Sequence, residues 1–487
     1  MTGVRTLFPR YLLAAGLIAA ALGPAGGQER DGEPPKAGQP DQAPAAADPI
    51  QAAPSTGEPT IAPLLGPLGD PGGARSFLAD RGIAYSLTYI GDTLSNVTGG
   101  LKRGTSYVGL LDTQIDVDLD RLAGWRDAAL HANIYQIHGR GLSRYYVGNI
   151  LTVSDLEALP ATRLYELWFE QRLFADRVSV RVGQLAADQE FLVSDYAALF
   201  LNASLGWPPI TGANLPSGGP AYPQATPGVR VDVRPNDQVT LLAALFNGDP
   251  AGPGTAKDPQ LRDHSGLEFR TRDPAFVIGE IQVAHDHGER DTGLPGTLKL
   301  GAWHHFGRFD DERFGADGLL LADPNEQGPA RRLRGNQGVY AVVDQLLTRE
   351  QDAPERGLGF FLRAGLAPSD RNLIGAYLDG GLTYRGLFPG RPNDSVGIAA
   401  MHARVSDSVR AYDRDVDTFT GQPRPVRSSE TAIEATYQAI LVPGWSVQPN
   451  VQYVIRPGAG GGNPRTLEPG PRLKDAAIVG VRTVIRY

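Results

Sequence analysis

Short segments in which apolar and polar residues alternate with a period of two recur from Gly82 to the C-terminus. This period indicates β-strands with two different faces. The pattern is sharpest in residues 111–119, where the two faces are Leu111, Thr113, Ile115, Val117 and Leu119 against Asp112, Gln114, Asp116 and Asp118. The polar face is charged, so we expect one face to meet water and predict an all-β fold.

Four more segments show this alternation with charge on the polar face, namely residues 178–182, 229–234, 267–272 and 477–487. Gly, Pro, Asn and Asp clusters separate the segments, as expected for turns. Two architectures fit many strands of this kind. A soluble sandwich or propeller buries the apolar face in a core, whereas an outer-membrane barrel turns it outward to lipid and lines its lumen with charge.

Connection lengths favour the barrel. Tight turns at Ala175–Asp176, residues 235–237 and Pro443–Gly444 alternate with long Gly/Pro-rich stretches, as in barrels with short periplasmic turns and long external loops. Residues 76–487 number 412, which gives 16 strands about 26 residues each with their connections. The sequence therefore predicts a transmembrane antiparallel β-barrel of about 16 strands over 76–487, with a short N-terminal helix at Ser76–Arg81.

The N-terminus has the layout of an export signal. Arg5 and Arg10 precede an apolar stretch at residues 11–22, and small residues follow up to Gly27. Twelve apolar residues are too few to span a bilayer, so we predict a cleaved signal peptide at 1–27. Residues 28–75 are rich in Ala, Pro and Gly with almost no aromatic residues, and we predict a disordered linker. The expected location is the outer membrane of a Gram-negative bacterium.

Composition limits the function further. The chain has 46 basic and 54 acidic residues, a net charge of −8, which argues against a nucleic-acid partner. A mean hydropathy of −0.23 argues against a helical membrane protein. The absence of cysteine excludes disulfides, Fe–S clusters and thiolate zinc sites. His285 and His287, with His304 and His305 nearby, do not complete a ligand set, because adjacent strand residues point to opposite faces. We expect no metal and no cofactor.

Residues 185–228 lack alternation but contain several aromatic residues and six prolines. A connection of this length is usually functional or disordered, and the aromatic residues favour a folded loop. In a wide barrel such a loop can turn inward and narrow the channel. The alternatives are an outward cap and a contact between subunits.

The strand Leu164–Leu173 holds candidate sugar contacts. Alternation places Leu164, Glu166, Trp168, Glu170 and Arg172 inward, and Tyr165, Leu167, Phe169, Gln171 and Leu173 outward. Carboxylates, a guanidinium and an indole suit a pyranose, which offers hydroxyls in the ring plane and an apolar C–H face. A slip of one residue would turn Trp168 to the lipid interface. Of the 46 basic residues, 41 are arginine, whose planar fork suits hydroxyls and carboxylates alike.

Several motifs in order resemble the carbohydrate-selective porin family of Gram-negative outer membranes. They are Asp118-Leu-Asp-Arg-Leu-Ala-Gly-Trp125, Ile137-His-Gly-Arg-Gly-Leu-Ser143, Thr162-Arg-Leu-Tyr-Glu-Leu-Trp-Phe-Glu-Gln171, Arg181-Val-Gly-Gln184, Phe200-Leu-Asn-Ala-Ser-Leu-Gly-Trp-Pro-Pro209, Ile433-Glu-Ala-Thr-Tyr437, Val447-Gln-Pro-Asn-Val-Gln-Tyr-Val-Ile-Arg-Pro457 and Ile478-Val-Gly-Val-Arg482. The resemblance implies a 16-stranded barrel with inward-folded loops that narrow the pore. It also implies facilitated diffusion of glucose and related sugars. It makes Arg140, Glu170 and Trp207 the first candidates for sugar contact; Trp168, Arg172 and Arg181 follow from alternation.

The sequence therefore predicts a passive sugar porin. The alternatives are an anion or general-diffusion porin and a structural barrel that tethers the outer membrane to the cell wall. An enzyme at the barrel rim would need a convergent nucleophile, base and orienting group, and none can be picked out. The expected partners are small sugars, outer-membrane lipid and the barrel assembly machinery, which would read the C-terminal aromatic residue Tyr487. A homotrimer is left open.

Overall fold

The computed structural model describes residues 59–487, apart from 255, 288–292, 351–352 and 464–469. The predicted signal peptide and residues 28–58 of the predicted linker lie outside the described residues. None of the helices in the described part of the chain has the length and apolar character needed to cross a membrane.

Within the described residues, sixteen strands form one closed antiparallel barrel. The strands are β1 Ile83–Gly100, β2 Gly104–Asp118, β3 Ala128–Gly139, β4 Ala161–Leu173, β5 Val178–Leu185, β6 Thr226–Val233, β7 Val239–Asn247, β8 Ala275–His285, β9 Gly296–Gly315, β10 Ala330–Glu350, β11 Ala353–Leu366, β12 Ile374–Arg385, β13 Ser395–Val405, β14 Ser429–Val442, β15 Trp445–Ile455 and β16 Lys474–Arg486. Each strand pairs with its sequence neighbours, and β1 pairs with β16, so no edge is left unpaired. The predicted barrel is confirmed.

Helical segments are short and lie in the connections. The α-helices are α1 Ala74–Ala79, α2 Leu119–Ala123, α3 Pro209–Gly212, α4 Pro259–Arg262 and α5 Asp407–Thr420; the 3₁₀ segments are Ala62–Leu68, Pro71–Gly73, Ala187–Gln189, Ala197–Leu199, Ala203–Leu205, Pro216–Gly218, Ser369–Arg371 and Pro457–Gly460, and Ser143–Val147 forms a π-turn. Helix α5 was not predicted. The Ser406 hydroxyl accepts the Val409 N–H at its start, and Gly421 ends it in the left-handed region.

Burial confirms the predicted two-faced strands. Asp112 is 2% exposed on the lumen face of β2, whereas Ile115 on the opposite face is 38% exposed. In β16, Arg482 is 1% exposed, whereas Val479 and Val481 are 41% and 39% exposed on the outer wall. The barrel therefore has an apolar outer surface and a polar interior, which is the arrangement that lipid outside and water inside require.

A bulge in β4 changes part of the predicted alternation. Asn133 of β3 pairs with Glu166 and the next residue, Ile134, pairs with Leu164, so Tyr165 is the extra residue. Tyr165 turns into the barrel and is 1% exposed. The prediction that Leu164 faces the lumen and Tyr165 faces lipid was therefore wrong, whereas Glu166, Trp168 and Glu170 lie on the lumen face as predicted.

Residues 267–272 form no strand, so that prediction was also wrong. Arg270 donates to both carboxylate oxygens of Asp273, at 2.8 and 2.9 Å, and this pair closes the segment on itself. Phe269 has a φ of 37°, which is incompatible with a strand. The segment belongs to the loop before β8, which begins at Ala275 after Pro274.

The chain enters the barrel at the end that holds the short turns. The predicted helix at Ser76–Arg81 is present two residues earlier, as α1. Part of the predicted disordered linker is ordered in the structure: Ala62–Leu68 and Pro71–Gly73 are 3₁₀ segments, and residues 74 and 75 begin α1. The Ile61 N–H donates to the Arg486 carbonyl at 2.8 Å, and the Tyr487 hydroxyl donates to the Leu68 carbonyl at 2.9 Å.

Candidate functional site

Two long connections fold from the opposite rim into the barrel. Loop L2 (140–160) joins β3 to β4, and loop L3 (186–225) joins β5 to β6. The prediction that residues 185–228 fold inward is confirmed, because L3 bonds to lumen-facing side chains across the barrel. Glu434 of β14 accepts the N–H groups of Leu201 and Asn202 at 2.7 and 3.0 Å.

One guanidinium fixes two parts of L3 at once. Arg363 on β11 is 1% exposed, and its Nε and Nη2 both donate to Oδ2 of Asp379 on β12, at 3.0 and 2.6 Å. Its remaining donors reach the carbonyls of Leu192, Ser204 and Gly206 at 2.6, 2.8 and 3.1 Å. A buried charge needs this degree of pairing, so Arg363 ties the loop to the wall.

Loop L2 is held by similar contacts. Glu430 of β14 accepts the N–H groups of Ile150 and Leu151 at 2.9 and 2.6 Å. Arg482 of β16 pairs with Asp155 of L2 through both terminal nitrogens. Both inserted loops are therefore anchored to the β11–β16 side of the barrel, and L3 is bonded also to Glu280 of β8 and Asp344 of β10.

Apolar packing fills that side. Leu151 and Val153 of L2 and Leu199 and Phe200 of L3 lie in one buried cluster with lumen-facing residues of β11 to β16. The Phe200 ring lies 5.9 Å from the ring of Phe361. On the opposite wall, solvent reaches polar side chains of β2 and β4 near the short turns. The side chains of Asp116 and Arg172 there are 35% and 55% exposed.

A cluster of charged residues lies on this open wall, centred on Glu170 of β4. Its carboxylate accepts from Arg181 of β5 at 2.7 Å, from Arg172 at 3.1 Å and from Arg230 of β6 at 3.2 Å. Glu190 at the start of L3 lies 2.7 Å from Arg181 and 2.6 Å from Arg230. We call these five residues the Glu170 cluster. It contains three guanidiniums and two carboxylates, so its formal charge is +1.

Arg172 is the member of the Glu170 cluster most open to solvent. Only its Nε is engaged, in the bond to Glu170. Its two terminal nitrogens make no hydrogen bond with the described residues, and its side chain is 55% exposed. A guanidinium fixed at one edge and open at the other can donate to the hydroxyls of a passing solute.

Trp168 is held inside the wall. His131 of β3 stacks on its indole at 4.7 Å, and the Arg181 guanidinium lies 3.8 Å from the ring centroid. These neighbours come from strands on opposite sides of β4, and Trp168 is 8% exposed. Its ring orients Arg181 through a cation–π contact and offers no open face to a sugar.

The other two predicted site residues lie away from the Glu170 cluster. The Arg140 guanidinium lies over the Tyr145 ring at 4.9 Å, and both side chains line a cavity of about 210 Å³ between L2 and the loop before β8. The Trp207 indole donates to the Gly218 carbonyl at 3.0 Å within L3. The structure thus brings together four of the six predicted residues: Trp168, Glu170, Arg172 and Arg181.

Sequence reasoning missed Arg230, Glu190 and the pair of His131 with Asp116. Alternation in residues 229–234 already placed Arg230 on a polar face, so its position was predictable but its partners were not. Glu190 follows the end of β5 in an irregular loop, where no periodic pattern exists. His131 Nδ1 lies 2.7 Å from Asp116 Oδ1, and this contact joins two strands that only the register brings together.

Two carboxyl groups in the loops are buried and are hydrogen-bonded to neutral groups of the described residues. Burial raises the pKa of Asp188 in L3 to about 6, although its oxygens accept from the Tyr165 hydroxyl and the Tyr222 N–H at 3.0 and 2.7 Å. Burial likewise raises the pKa of Glu157 in L2 to about 7, against the Ser143 N–H that it accepts at 3.0 Å. Both loops therefore hold protons more tightly when folded than when unfolded.

We expect the protein to lose stability as the pH rises from about 4 through 6, in part through Asp188. Between these values the unfolded carboxyl is ionised while the folded one keeps its proton, so the loss attributable to Asp188 is about 2 kcal/mol between pH 4.5 and 7.5. In Asp188→Asn, the loss of folding stability between pH 4.5 and 7.5 should be smaller by this amount. The measurement is the thermal midpoint of unfolding at several pH values. If the midpoint of Asp188→Asn falls with pH as steeply as that of the wild type, the assignment to Asp188 is contradicted.

A closed 16-stranded barrel with an apolar outer wall, a charged lumen and two inward-folded loops defines a porin, an outer-membrane diffusion channel. Among the described residues no three His, Cys, Asp or Glu side chains are grouped to hold a metal ion. The sequence model of the family described as "Carbohydrate-selective porin, OprB family" matches residues 102–487. The chain belongs to this family, and it is an outer-membrane porin for carbohydrates.

Individual relatives agree with this assignment. Porin B of Pseudomonas aeruginosa is 25% identical over 412 residues, which cover 80% of this chain and 87% of the relative. The high-pH structure of Pseudomonas putida OprB has a TM-score of 0.76 at 21% identity, covering 86% of this chain and 98% of that chain. The low-pH structure of the same protein has a TM-score of 0.51 at 17% identity, covering 86% and 97%. These solved structures show the same barrel fold.

Proposed function

We propose that the channel selects small neutral sugars, such as glucose and related monosaccharides, at the Glu170 cluster. The observation that carries this proposal is a group of three guanidiniums and two carboxylates paired with one another, which reaches solvent through Arg172. Paired charges leave strong donors and acceptors at fixed positions with little net field. A polyol can exchange its water hydrogen bonds for these without the penalty of binding an ion.

From the outer rim the proposed path passes the edges of Arg181 and Glu190 and then reaches Arg172, which lies nearest the short turns and has open donors. Conduction requires binding that is favourable but weak, so we expect millimolar affinity, which is about 4 kcal/mol. Neither Trp168 nor Trp207 is proposed as a stacking platform. The first is enclosed by His131 and Arg181, and the second packs against a buried apolar cluster.

Arg140 is proposed as a contact in the outer vestibule, before the sugar reaches the Glu170 cluster. It lies in the cavity between L2 and the loop before β8 and is itself exposed. This separates it along the path from the four clustered residues. An Arg140→Ala variant should therefore change entry of sugar without changing the ion preference set by Glu170.

An anion porin is the second candidate function. The Glu170 cluster has one more guanidinium than carboxylates, and Arg172, the most exposed of the three guanidiniums, has open donors. Liposome swelling with glucose, maltose, succinate and phosphate separates the candidates. We expect the fastest swelling with glucose; faster swelling with succinate and phosphate would support the anion porin, and equal rates with all four a general-diffusion channel.

The remaining partners and segments are also proposals. We propose a signal peptide at 1–27 and a linker over 28–58, contact with outer-membrane lipid, and recognition of Tyr487 by the barrel assembly machinery. A homotrimer and a tether to the cell wall are further proposals. The proposed transport involves no catalytic step.

Arg172→Ala is expected to weaken glucose binding about tenfold, because hydrogen bonds from a charged donor contribute about 1.5–3 kcal/mol. The measurement is the glucose concentration that half-blocks the ion current through single channels. Arg177→Ala is the matched control, since Arg177 is 49% exposed at the same end and pairs with Asp237 in a short turn. Equal effects of the two substitutions would remove Arg172 from the site.

A further inference from the structure

An uncharged apolar segment lies at the rim that holds the short turns. Residues 59–69 contain no charged side chain, and the 3₁₀ segment Ala62–Leu68 leaves three leucines open. Leu64 is 59% exposed, Leu65 38% and Leu68 70%. Three exposed leucines within five residues are unusual for a surface that faces water.

The segment is fixed to the last strand of the barrel. Besides the bond from Ile61 to the Arg486 carbonyl, the Tyr487 hydroxyl donates to the carbonyls of Leu68 and Gly69 at 2.9 and 3.2 Å. The Arg75 guanidinium lies over the Tyr487 ring at 5.0 Å. Contacts at both ends hold the leucines in place at the seam between β1 and β16.

The place of attachment continues the lipid-facing wall. The backbone of Thr60 and Ile61 lies against Gly444, in the turn between β14 and β15; a Cβ at Gly444 would come within 2.3 Å of it. The next residue, Trp445, is 41% exposed, and its indole donates to the Thr483 hydroxyl on the outer face of β16. The segment therefore begins where the outer wall of β15 and β16 ends.

Other short turns at this rim also expose large apolar side chains. Phe174 is 76% exposed, Trp125 55% and Phe388 48%. Aromatic residues at the ends of membrane strands form a belt at the boundary between headgroups and hydrocarbon. The leucines of the N-terminal segment occupy the part of this rim beside β16.

We propose that residues 61–68 are an interfacial anchor that lies in the periplasmic leaflet of the outer membrane. Apolar side chains without charge favour the boundary of a bilayer over water, and the segment is continuous with the lipid-facing wall. It thereby fixes the point at which the preceding chain leaves the membrane. A second copy of the chain or the preceding residues of the same chain are the competing occupants.

Fluorescence quenching by lipid tests the proposal, and the absence of cysteine in the chain makes it simple. Leu65→Cys and Leu68→Cys are each labelled with an environment-sensitive dye in the full-length protein and inserted into phosphatidylcholine vesicles with or without brominated lipid. Phe174→Cys is the lipid-facing control. Asp237→Cys is the aqueous control, because its side chain is 91% exposed in another short turn.

Brominated lipid is expected to quench both leucine positions as strongly as position 174, and at least about threefold more than position 237. Quenching equal to that at position 237 would overturn the proposal. The proposal would also be overturned if the dyes quenched one another more strongly as protein density rises, with no effect of brominated lipid. That result would indicate that a second copy of the chain covers the leucines. Deletion of residues 28–58 tests whether the preceding chain covers the leucines. If brominated lipid quenches the leucine positions only after this deletion, the preceding chain is the occupant, and the proposal is overturned.

Discussion

Arg363→Ala is expected to widen the channel more than any other single substitution. It removes the pair with Asp379 and the three bonds to L3 carbonyls at once, and it leaves a buried carboxylate that is 1% exposed without its cation. Breaking a buried pair in this way costs about 3–5 kcal/mol. We expect L3 to leave the wall while the barrel, which is closed by strand pairing, stays folded.

We expect the single-channel conductance to be about twofold or more above that of the wild type. We also expect liposomes that contain this variant to swell in maltose almost as fast as in glucose. Arg332→Ala serves as the control, because Arg332 and its partner Asp310 are 53% and 64% exposed and lie away from L3. Heat-dependent mobility on gels checks that the barrel is intact. A folded Arg363→Ala barrel with normal conductance would mean that L3 does not need this anchor.

Glu170→Gln is expected to convert the channel toward anions. The substitution keeps the shape of the side chain but raises the formal charge of the Glu170 cluster from +1 to +2, since it removes the carboxylate that Arg172, Arg181 and Arg230 share. In a lumen with low-dielectric walls, one added charge changes ion preference strongly. We expect the anion-to-cation permeability ratio to rise about threefold to tenfold and glucose block to weaken.

The matched control for this substitution is Asp232→Asn. Asp232 is also a buried acidic residue on the lumen face, but it pairs with the exposed Arg234 at 3.3 Å rather than with three guanidiniums. Reversal potentials in a salt gradient report the ratio for each variant. If Asp232→Asn moved the potential as far as Glu170→Gln, total lumen charge rather than the Glu170 cluster would set the preference.

Much of the fold could be predicted from the sequence because lipid outside and water inside impose a strict period of two. This period placed Asp112 and Arg482 in the lumen and Val479 and Val481 on the wall. It failed where local contacts override it. The bulge at Tyr165 reverses one part of β4, and the pair of Arg270 with Asp273 closes a segment that reads as a strand.

The candidate site was predictable only within one strand and its neighbour. Glu170 and Arg172 follow from alternation in β4, and Arg181 from β5. The enclosure of Trp168 depends on His131, which reaches it through the register of β3 and β4. Glu190 comes from a loop whose path is set by distant anchors such as Arg363 and Glu434, and no local pattern records these contacts.

Titration of single-channel current with glucose tests the central claim most directly, namely that a weak carbohydrate site lies at the Glu170 cluster. We predict a saturable decrease in current with a half-effect in the millimolar range, corresponding to about 4 kcal/mol, and a shift of this midpoint to higher concentration in Arg172→Ala. A decrease that follows only the viscosity of the solution, identical in the wild type and Arg172→Ala, would contradict the claim.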